Sequence, residues 1–212
     1  EAGGSGKSLF TQMPGGNGYI FGNPKFDWGF ESVPQPRLNN RKILYPRGKG
    51  LGGSSLLNGM IYMRGASGDF NRWRQKGLKG WSYDDVLPYF KKSASAYHRK
   101  EGKYHSHSGP LKLSPAGNYN EIDEAFISAC VEAGSKINND FYNESLNGVG
   151  RYDVKVWNGK RQSSAEAYLK FKPKNLTIYK NTSVIKILIE KSKAVGLTLS
   201  KGNVYASSEI IL

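Results

Sequence analysis

Arg47-Gly48-Lys49-Gly50-Leu51-Gly52-Gly53-Ser54-Ser55-Leu56-Leu57-Asn58-Gly59-Met60-Ile61-Tyr62-Met63-Arg64-Gly65 is the stretch on which the reading of this chain turns. Four glycines fall within the six residues from Gly48 to Gly53, two serines follow, and an apolar run broken by Asn58-Gly59 comes next. Glycine at this density lets the backbone take positive φ and brings its N–H groups close to a ligand. The serines add hydroxyl donors. Such a loop fits an anion, most naturally a phosphate or pyrophosphate. The run after it is too apolar for a surface loop, so the chain should turn inward beside the bound group. On composition alone, a plain glycine-rich turn between two buried segments explains the stretch equally well.

Two known glycine templates fail here. Gly48, Gly50 and Gly53 fit G-x-G-x-x-G, but that fingerprint follows a central strand directly. The residues before it are Ile43-Leu44-Tyr45-Pro46-Arg47, and Pro46 removes a ladder donor. Gly6-Lys7-Ser8 matches the end of a P-loop, yet the required first glycine falls on Glu1 and no strand precedes it.

The longer pattern is more specific. Gly48-Lys49, Leu51-Gly52-Gly53-Ser54-Ser55 and Leu57-Asn58, followed by Tyr62, Gly65 and Asn71, resemble the first signature of the glucose–methanol–choline (GMC) oxidoreductases. These are FAD-dependent enzymes that oxidise alcohols and sugars. The resemblance implies that the loop packs along FAD, with Gly53, Ser54, Asn58, Gly59 and Ile61 as cofactor contacts. Glu1-Ala2-Gly3 resembles the close of the second strand of the family's FAD-binding unit. There the carboxylate takes the adenosine ribose hydroxyls, as the acidic residue of a Rossmann fold does. Without that resemblance Glu1 reads as a solvated terminal residue. Asp27-Trp28-Gly29 resembles the segment leading to the lid over the FAD. The string from Trp81 to Lys92 resembles insect glucose dehydrogenase-like members. Val184 holds the place of the valine whose backbone meets the adenine.

Composition sets looser bounds. The chain has 212 residues, enough for a sizeable core. No apolar run reaches the length needed to span a bilayer, so no membrane partner is expected. The net charge of +14 raises a polyanion-binding alternative. The basic residues are spread along the chain, however, so a solvated basic face is favoured and no nucleic-acid partner is expected. The single Cys130 excludes an internal disulfide and a cysteine metal cluster. Asn143-Glu144-Ser145, Asn175-Leu176-Thr177 and Asn181-Thr182-Ser183 are glycosylation sequons, which matter if the protein is secreted.

Along the chain, glycines and prolines make Leu9 to Asn40 irregular around the aromatic run Phe26-Asp27-Trp28-Gly29-Phe30. Asp69 to Lys76 is expected to be helical, burying Phe70 and Trp73, with Gly77 as its stop. Ser82 and Asp85 form a capping box for a second helix that carries Pro88. His98 to Ser108 holds all three histidines and is expected to be an exposed loop. His105-x-His107 has no third ligand at suitable spacing, so no metal site is expected. Glu121 to Gly134 is expected as an amphipathic helix burying Ile122, Ala125, Phe126, Ala129, Cys130 and Ala133. Gly148 to Asn158 reads as a strand and Ser163 to Phe171 as a helix. Strands are then expected at 176–179, 184–189, 195–199, 204–206 and 210–212.

The expected fold class is therefore α/β: an incomplete FAD/NAD(P)-binding Rossmann-like domain with part of an antiparallel-sheet substrate domain. Residues 1–86 are assigned to the FAD part with lid and signature, 87–149 to the substrate domain, and 150–212 to the FAD part with its β-meander. The chain reads as an internal fragment of an oxidoreductase, acting by hydride transfer from a small-molecule alcohol or sugar to flavin. The family's proton-accepting histidine lies near its C-terminus, so no catalytic residue is named. A GMC-like protein that has lost activity and serves binding is the other alternative. Secretion is expected from the resemblance and the sequons, and no oligomeric state is implied.

Overall fold

The computed structural model describes residues 1–117, 120–143, 145–171 and 173–211. Two compact units divide the chain: Glu1–Asn58 with Ser163–Leu212, and Gly59–Gln162. The breaks fall at 58/59 and 162/163, whereas the sequence reading divides the chain at 86/87 and 149/150.

The first unit opens with α1 (Leu9–Gln12), started by a reciprocal cap. The Thr11 N–H donates to Ser8 Oγ, and the Ser8 N–H donates to Thr11 Oγ1. After a 3-10 turn comes α2 (Asn17–Ile20), whose Ile20 packs, fully buried, against Phe26 and Leu57. The Asp27 side chain then gathers three backbone donors. Its Oδ2 accepts the N–H of Gly22 at 2.9 Å, and its Oδ1 accepts those of Gly29 at 3.1 Å and Arg47 at 3.0 Å. Backbone bonds from Trp28 N–H to Arg47 O and from Lys49 N–H to Phe26 O flank it. One buried carboxylate thus ties the aromatic run to the start of the glycine stretch. Between them, β1 (Phe30–Glu31) and β2 (Leu44–Tyr45) pair antiparallel. No parallel strand leads into Gly48, which agrees with rejecting the dinucleotide fingerprint.

The second unit begins with α3 (Ser67–Gln75), followed by Gly77 in left-handed backbone at φ 97°. Next is α4 (Tyr83–Ser93), opened by the Ser82–Asp85 capping box and continuing through Pro88. Asp84 and Asp85 in its first turn and Lys91 and Lys92 in its last complement the helix dipole. Phe70, Tyr83 and Leu87 bury together. Trp73, expected in that core, is 43% exposed and meets Phe70 only edge-on. β3 (Ala94–Ser95) pairs parallel with β4 (Leu111–Lys112), and β5 (Ser114–Pro115) comes after them.

α5 (Glu121–Glu132) is where expected, capped by Asn120, but none of its residues is buried. Ile122 and Phe126 are 78% and 64% exposed, and Cys130 is half-buried rather than a core residue. The stripe has helical period, but Ala125 and Ala129 give it little apolar bulk. The expected strand at 148–158 is two short pieces. β6 (Asp153–Val154) pairs with β5, and β7 (Val156–Trp157) forms a hairpin with β8 (Lys160–Arg161). Asn158-Gly159 closes that hairpin with φ of 48° and 70°, the primed turn that matches strand twist. Arg64 is 6% exposed, its guanidinium set over the rings of Tyr62, Phe90 and Tyr142.

The chain then returns to the first unit. α6 (Ser164–Tyr168) starts on the Ser163 cap and is shorter than the expected helix to Phe171. β9 (Val184–Glu190), β10 (Lys193–Leu199) and β11 (Gly202–Tyr205) form the expected antiparallel meander. Lys191 and Ser192 take left-handed backbone in its first turn. Leu176–Tyr179 is not a strand: the Leu176 N–H turns back to Pro173 O, and Tyr179 O takes a bond from Glu1. Ile210 and Ile211 are not in a strand, and Leu212 lies outside the described residues, as does Glu144 of the first sequon. The architecture is mixed α/β; among the described residues the pairing of named strands is antiparallel apart from β3–β4, and an isolated parallel bridge joins Ile137 and Val149.

Burial pushes the Asp27 carboxyl up, but the N–H groups of Gly22, Gly29 and Arg47 more than offset it and hold the pKa below the usual value. A depressed folded-state pKa adds stability above the unfolded value and loses it as pH falls through the folded one. Asp27→Asn should therefore cost about 1.5–3 kcal/mol at pH 7, the range for hydrogen bonds to a charged group. The gap to the unsubstituted protein should narrow as pH drops below about 4. Urea titrations at pH 7 and pH 3 check both; an equal gap at the two pH values would refute the assignment.

Candidate functional site

Residues Gly48–Ser54 fold back on Glu1–Gly6, and glycine is what permits it. A Cβ on Gly3 would sit 2.5 Å from Gly50 N, one on Gly6 2.6 Å from Leu51 O, and one on Gly48 2.0 Å from Gly53 O. Backbone meets backbone at all three places. The Leu51 N–H donates to Gly4 O at 3.0 Å. Glu1 closes the approach, its Oε1 accepting the N–H of Gly50 at 2.9 Å and of Gly3 at 2.7 Å. Oε2 accepts neither bond, and the residue is exposed. Along the other edge of Glu1–Gly3, the Thr182 N–H donates to Glu1 O at 3.0 Å and the Asn181 N–H to Gly3 O at 2.9 Å. Two residues further on, Val184 opens β9, 54% exposed.

Five N–H groups of the glycine stretch are engaged by the protein itself. Gly48 donates to Ser54 Oγ, Lys49 to Phe26 O, Gly50 to Glu1, Leu51 to Gly4 O, and Gly53 to Gly50 O. Close backbone packing is one thing these glycines permit. The chain does turn inward as expected, with Leu56 and Leu57 buried. Ser55 Oγ donates to Gly52 O and accepts the Ser164 N–H, fastening the loop to α6. Gly52 and Gly53 are both left-handed, at φ 108° and 53°. A Cβ on Gly53 would meet nothing within 4 Å, so the loop is tight beneath and open above.

Glu1, Gly53, Ser54, Asn58 and Val184 all lie in the first unit. Asn58 is held by its N–H to Ser54 O at 3.0 Å. Gly59 and Ile61 belong to the second unit. A Cβ on Gly59 would also meet nothing within 4 Å, and the left-handed residue beside it is Met60, at φ 64°. Ile61 bridges to Val154 and is 50% exposed. What the first unit offers is a carboxylate with one oxygen outside the Gly3 and Gly50 bonds, able to accept from ligand hydroxyls, near a backbone that a ligand can approach closely at Gly53.

A second cluster was not legible from residue types. The stretch His98–Ser108 is exposed only in part: His98 and residues 100–103 are exposed, but His105 and Ser106 are buried, and the side chains of Asp153 and Asp140 engage its basic residues. Asp153, its side chain 2% exposed, lies 2.8 Å from His98 Nε2 and accepts Arg99 Nε–H at 2.8 Å and Nη2–H at 3.0 Å. His105 Nε2 is 2.6 Å from Asp140 Oδ2, and His107 Nε2 is 2.8 Å from Arg99 O. Burial pushes the Asp140 carboxyl up, while His105 and the Tyr142 N–H pull it further down, below the usual range. Burial also drives the Tyr142 phenol well above its ordinary value. The available signal was Asp153 itself, an acid between Tyr152 and Val154 in an alternating run. No group of three or more His, Cys, Asp or Glu among the described residues could hold a metal.

The loop geometry makes a contrast. Gly48→Ala should destabilise by roughly 3 kcal/mol or more, because its Cβ falls on backbone that cannot move aside. Gly53→Ala should cost only about 1–2 kcal/mol, the left-handed penalty, since its Cβ points into open space. Urea denaturation of the two variants measures the difference; equal losses would contradict this packing.

Comparison with known proteins agrees with the geometry. The family described as GMC oxidoreductase matches residues 1–211. Over its whole length the chain is 40% identical to the oxygen-dependent choline dehydrogenase of Rhizobium etli and 39% identical to that of Rhizobium meliloti, spanning 39% of the length of each. Among solved structures, pyridoxine 4-oxidase from Mesorbium loti superposes with a TM-score of 0.87 at 26% identity, over 96% of this chain and 41% of that one. A formate oxidase gives 0.85 at 26% identity, over 100% and 40%. An FAD-dependent oxidoreductase from Chaetomium thermophilum gives 0.84 at 28% identity, over 98% and 39%. With the family matched from end to end of the described loop and meander, the chain belongs to the GMC oxidoreductases.

Proposed function

We propose that this chain is the FAD-holding part of an oxidoreductase acting on the CH–OH group of a small-molecule alcohol or sugar. The observation that carries the reading is Glu1: its Oε1 is fixed by the N–H groups of Gly3 and Gly50, Oε2 takes neither bond, and the residue lies beside the segment that leads into Val184. The residues present fit the cofactor. Glu1 would take the ribose hydroxyls and the Val184 backbone would meet the adenine. Gly53, Ser54 and Asn58 would line its path, with free space above Gly53. Gly59 and Ile61 are assigned to it by the resemblance alone. When bound, the flavin supplies the hydride acceptor. This chain's residues hold and orient it. None is assigned the proton of the donor hydroxyl, because His98, His105 and His107 are engaged with Asp153, Asp140 and Arg99 O.

The names of the relatives favour a donor such as choline or pyridoxine, and the Trp81–Lys92 string favours a sugar such as glucose. The shared chemistry is a CH–OH donor. Secretion belongs to the same proposal, supported by the exposed turn that carries Asn175 of the second sequon.

The test is FAD titration of the apo full-length protein carrying Glu1→Gln. The substitution keeps the shape but removes the charge from bonds worth about 1.5–3 kcal/mol. A roughly ten- to hundredfold loss of FAD affinity is expected, at 1.4 kcal/mol per tenfold. Turnover at saturating FAD should change little. Unchanged affinity would leave Glu1 a solvated residue, and the reading would lose its main support.

A further inference from the structure

We propose that His98 and Arg99 are positioning residues: by clamping the Asp153 carboxylate they set the backbone of Gly59–Ile61 for the cofactor. This rests on the proposed function, since the resemblance assigns Gly59 and Ile61 to FAD. The positioning itself stands on geometry inside the second unit.

The segment lies outside any helix or named strand. Met60 is left-handed, a conformation an unbranched L-residue keeps only when its surroundings impose it. What imposes it is the chain around β6. The Lys155 N–H donates to Met60 O at 2.8 Å, the Tyr62 N–H donates to Asp153 O at 3.0 Å, and Ile61 bridges to Val154. β6 is only two residues long and pairs with the equally short β5, so its ladder alone gives little stiffness.

The side chain of Asp153 supplies the rest. Arg99 grips both of its oxygens, which fixes orientation as well as distance. His98 Nε2 adds a contact to Oδ2 at 2.8 Å. Arg99 is itself held, its Nη1–H donating to Asn139 O at 2.8 Å and its own carbonyl lying 2.8 Å from His107 Nε2. The clamp therefore connects the 98–107 segment to the backbone of Asp153, and through it to residues 60–62. Losing the clamp leaves a desolvated carboxylate that must reorient, and the Asp153 backbone moves with it. The chain of contacts ends at Ile61, and nothing in it requires Arg99 or His98 to touch the ligand.

The experiment uses the full-length protein with FAD. Arg99→Ala, Arg99→Lys and His98→Gln are compared for FAD affinity, for the visible absorbance and circular dichroism of the bound flavin, and for thermal stability. Arg99→Ala should weaken FAD binding roughly tenfold, a scale typical of small misplacements, and change the flavin's visible dichroism. Arg99→Lys should restore part of both, because lysine keeps the charge but not the two-pronged grip. If Arg99→Ala fails to fold, His98→Gln decides by the same two readings. Folded variants with unaltered affinity and flavin spectrum would overturn the proposal, however far their melting temperature falls. An unsubstituted protein that binds no FAD would overturn the function on which it rests.

Discussion

The first unit depends on two backbones lying where side chains would ordinarily keep them apart. Gly3 and Gly6 face Gly50 and Leu51 at separations that no Cβ could share, and Gly48 meets Gly53 in the same way within the loop. Once the contact is made, the hydrogen bonds fall into place: Leu51 to Gly4, Gly50 to Glu1, and Asn181 and Thr182 on the far edge of Glu1–Gly3. Pieces some fifty and a hundred and eighty residues apart in sequence meet at this one place. A glycine loses more conformational freedom on folding than other residues. That cost falls where the approach cannot be made otherwise, so the density of glycine marks a contact.

Buried carboxylates do the corresponding work at longer range. Asp27 collects backbone N–H groups from Gly22, Gly29 and Arg47, and so joins the aromatic run to the glycine loop without a second charge. Asp153 collects a guanidinium and an imidazole, and so joins a polar segment to a short strand. The two differ in kind. Backbone donors stay in place when a side chain is exchanged, whereas a charged partner that is removed leaves the other charge stranded in the interior.

Local chemistry was legible in the sequence where it acts over three or four residues. The Ser82–Asp85 box, the Ser163 cap, the Gly77 stop and the turns of the meander come from side chains reaching their own neighbours. The strand at 176–179 failed because an apolar run says nothing about whether a partner will lie beside it; a turn at Asn175 and a single edge at Tyr179 took its place. The helix 121–132 was legible, but its burial was not, because periodicity describes a face and not what covers it. The histidine segment was misread for a similar reason. His98, Arg99 and His105 look hydrophilic until Asp140 and Asp153, more than thirty residues away, are known to sit beneath them.

The same distinction bears on the site. A glycine-rich stretch followed by serines invites a phosphate, and in this fold four of its N–H groups already donate to Glu1, Gly4 O, Phe26 O and Ser54 Oγ. The glycines bring Glu1 against Gly50 and hold one of its oxygens, while left-handed Gly52 and Gly53 turn the chain and leave the space above Gly53 open. The proposed cofactor site then combines a carboxylate able to accept hydroxyls with a backbone a ligand can approach closely. A ligand carrying vicinal hydroxyls at one end and a flat group further along satisfies both features, and that is the chemistry of a ribose-bearing flavin cofactor.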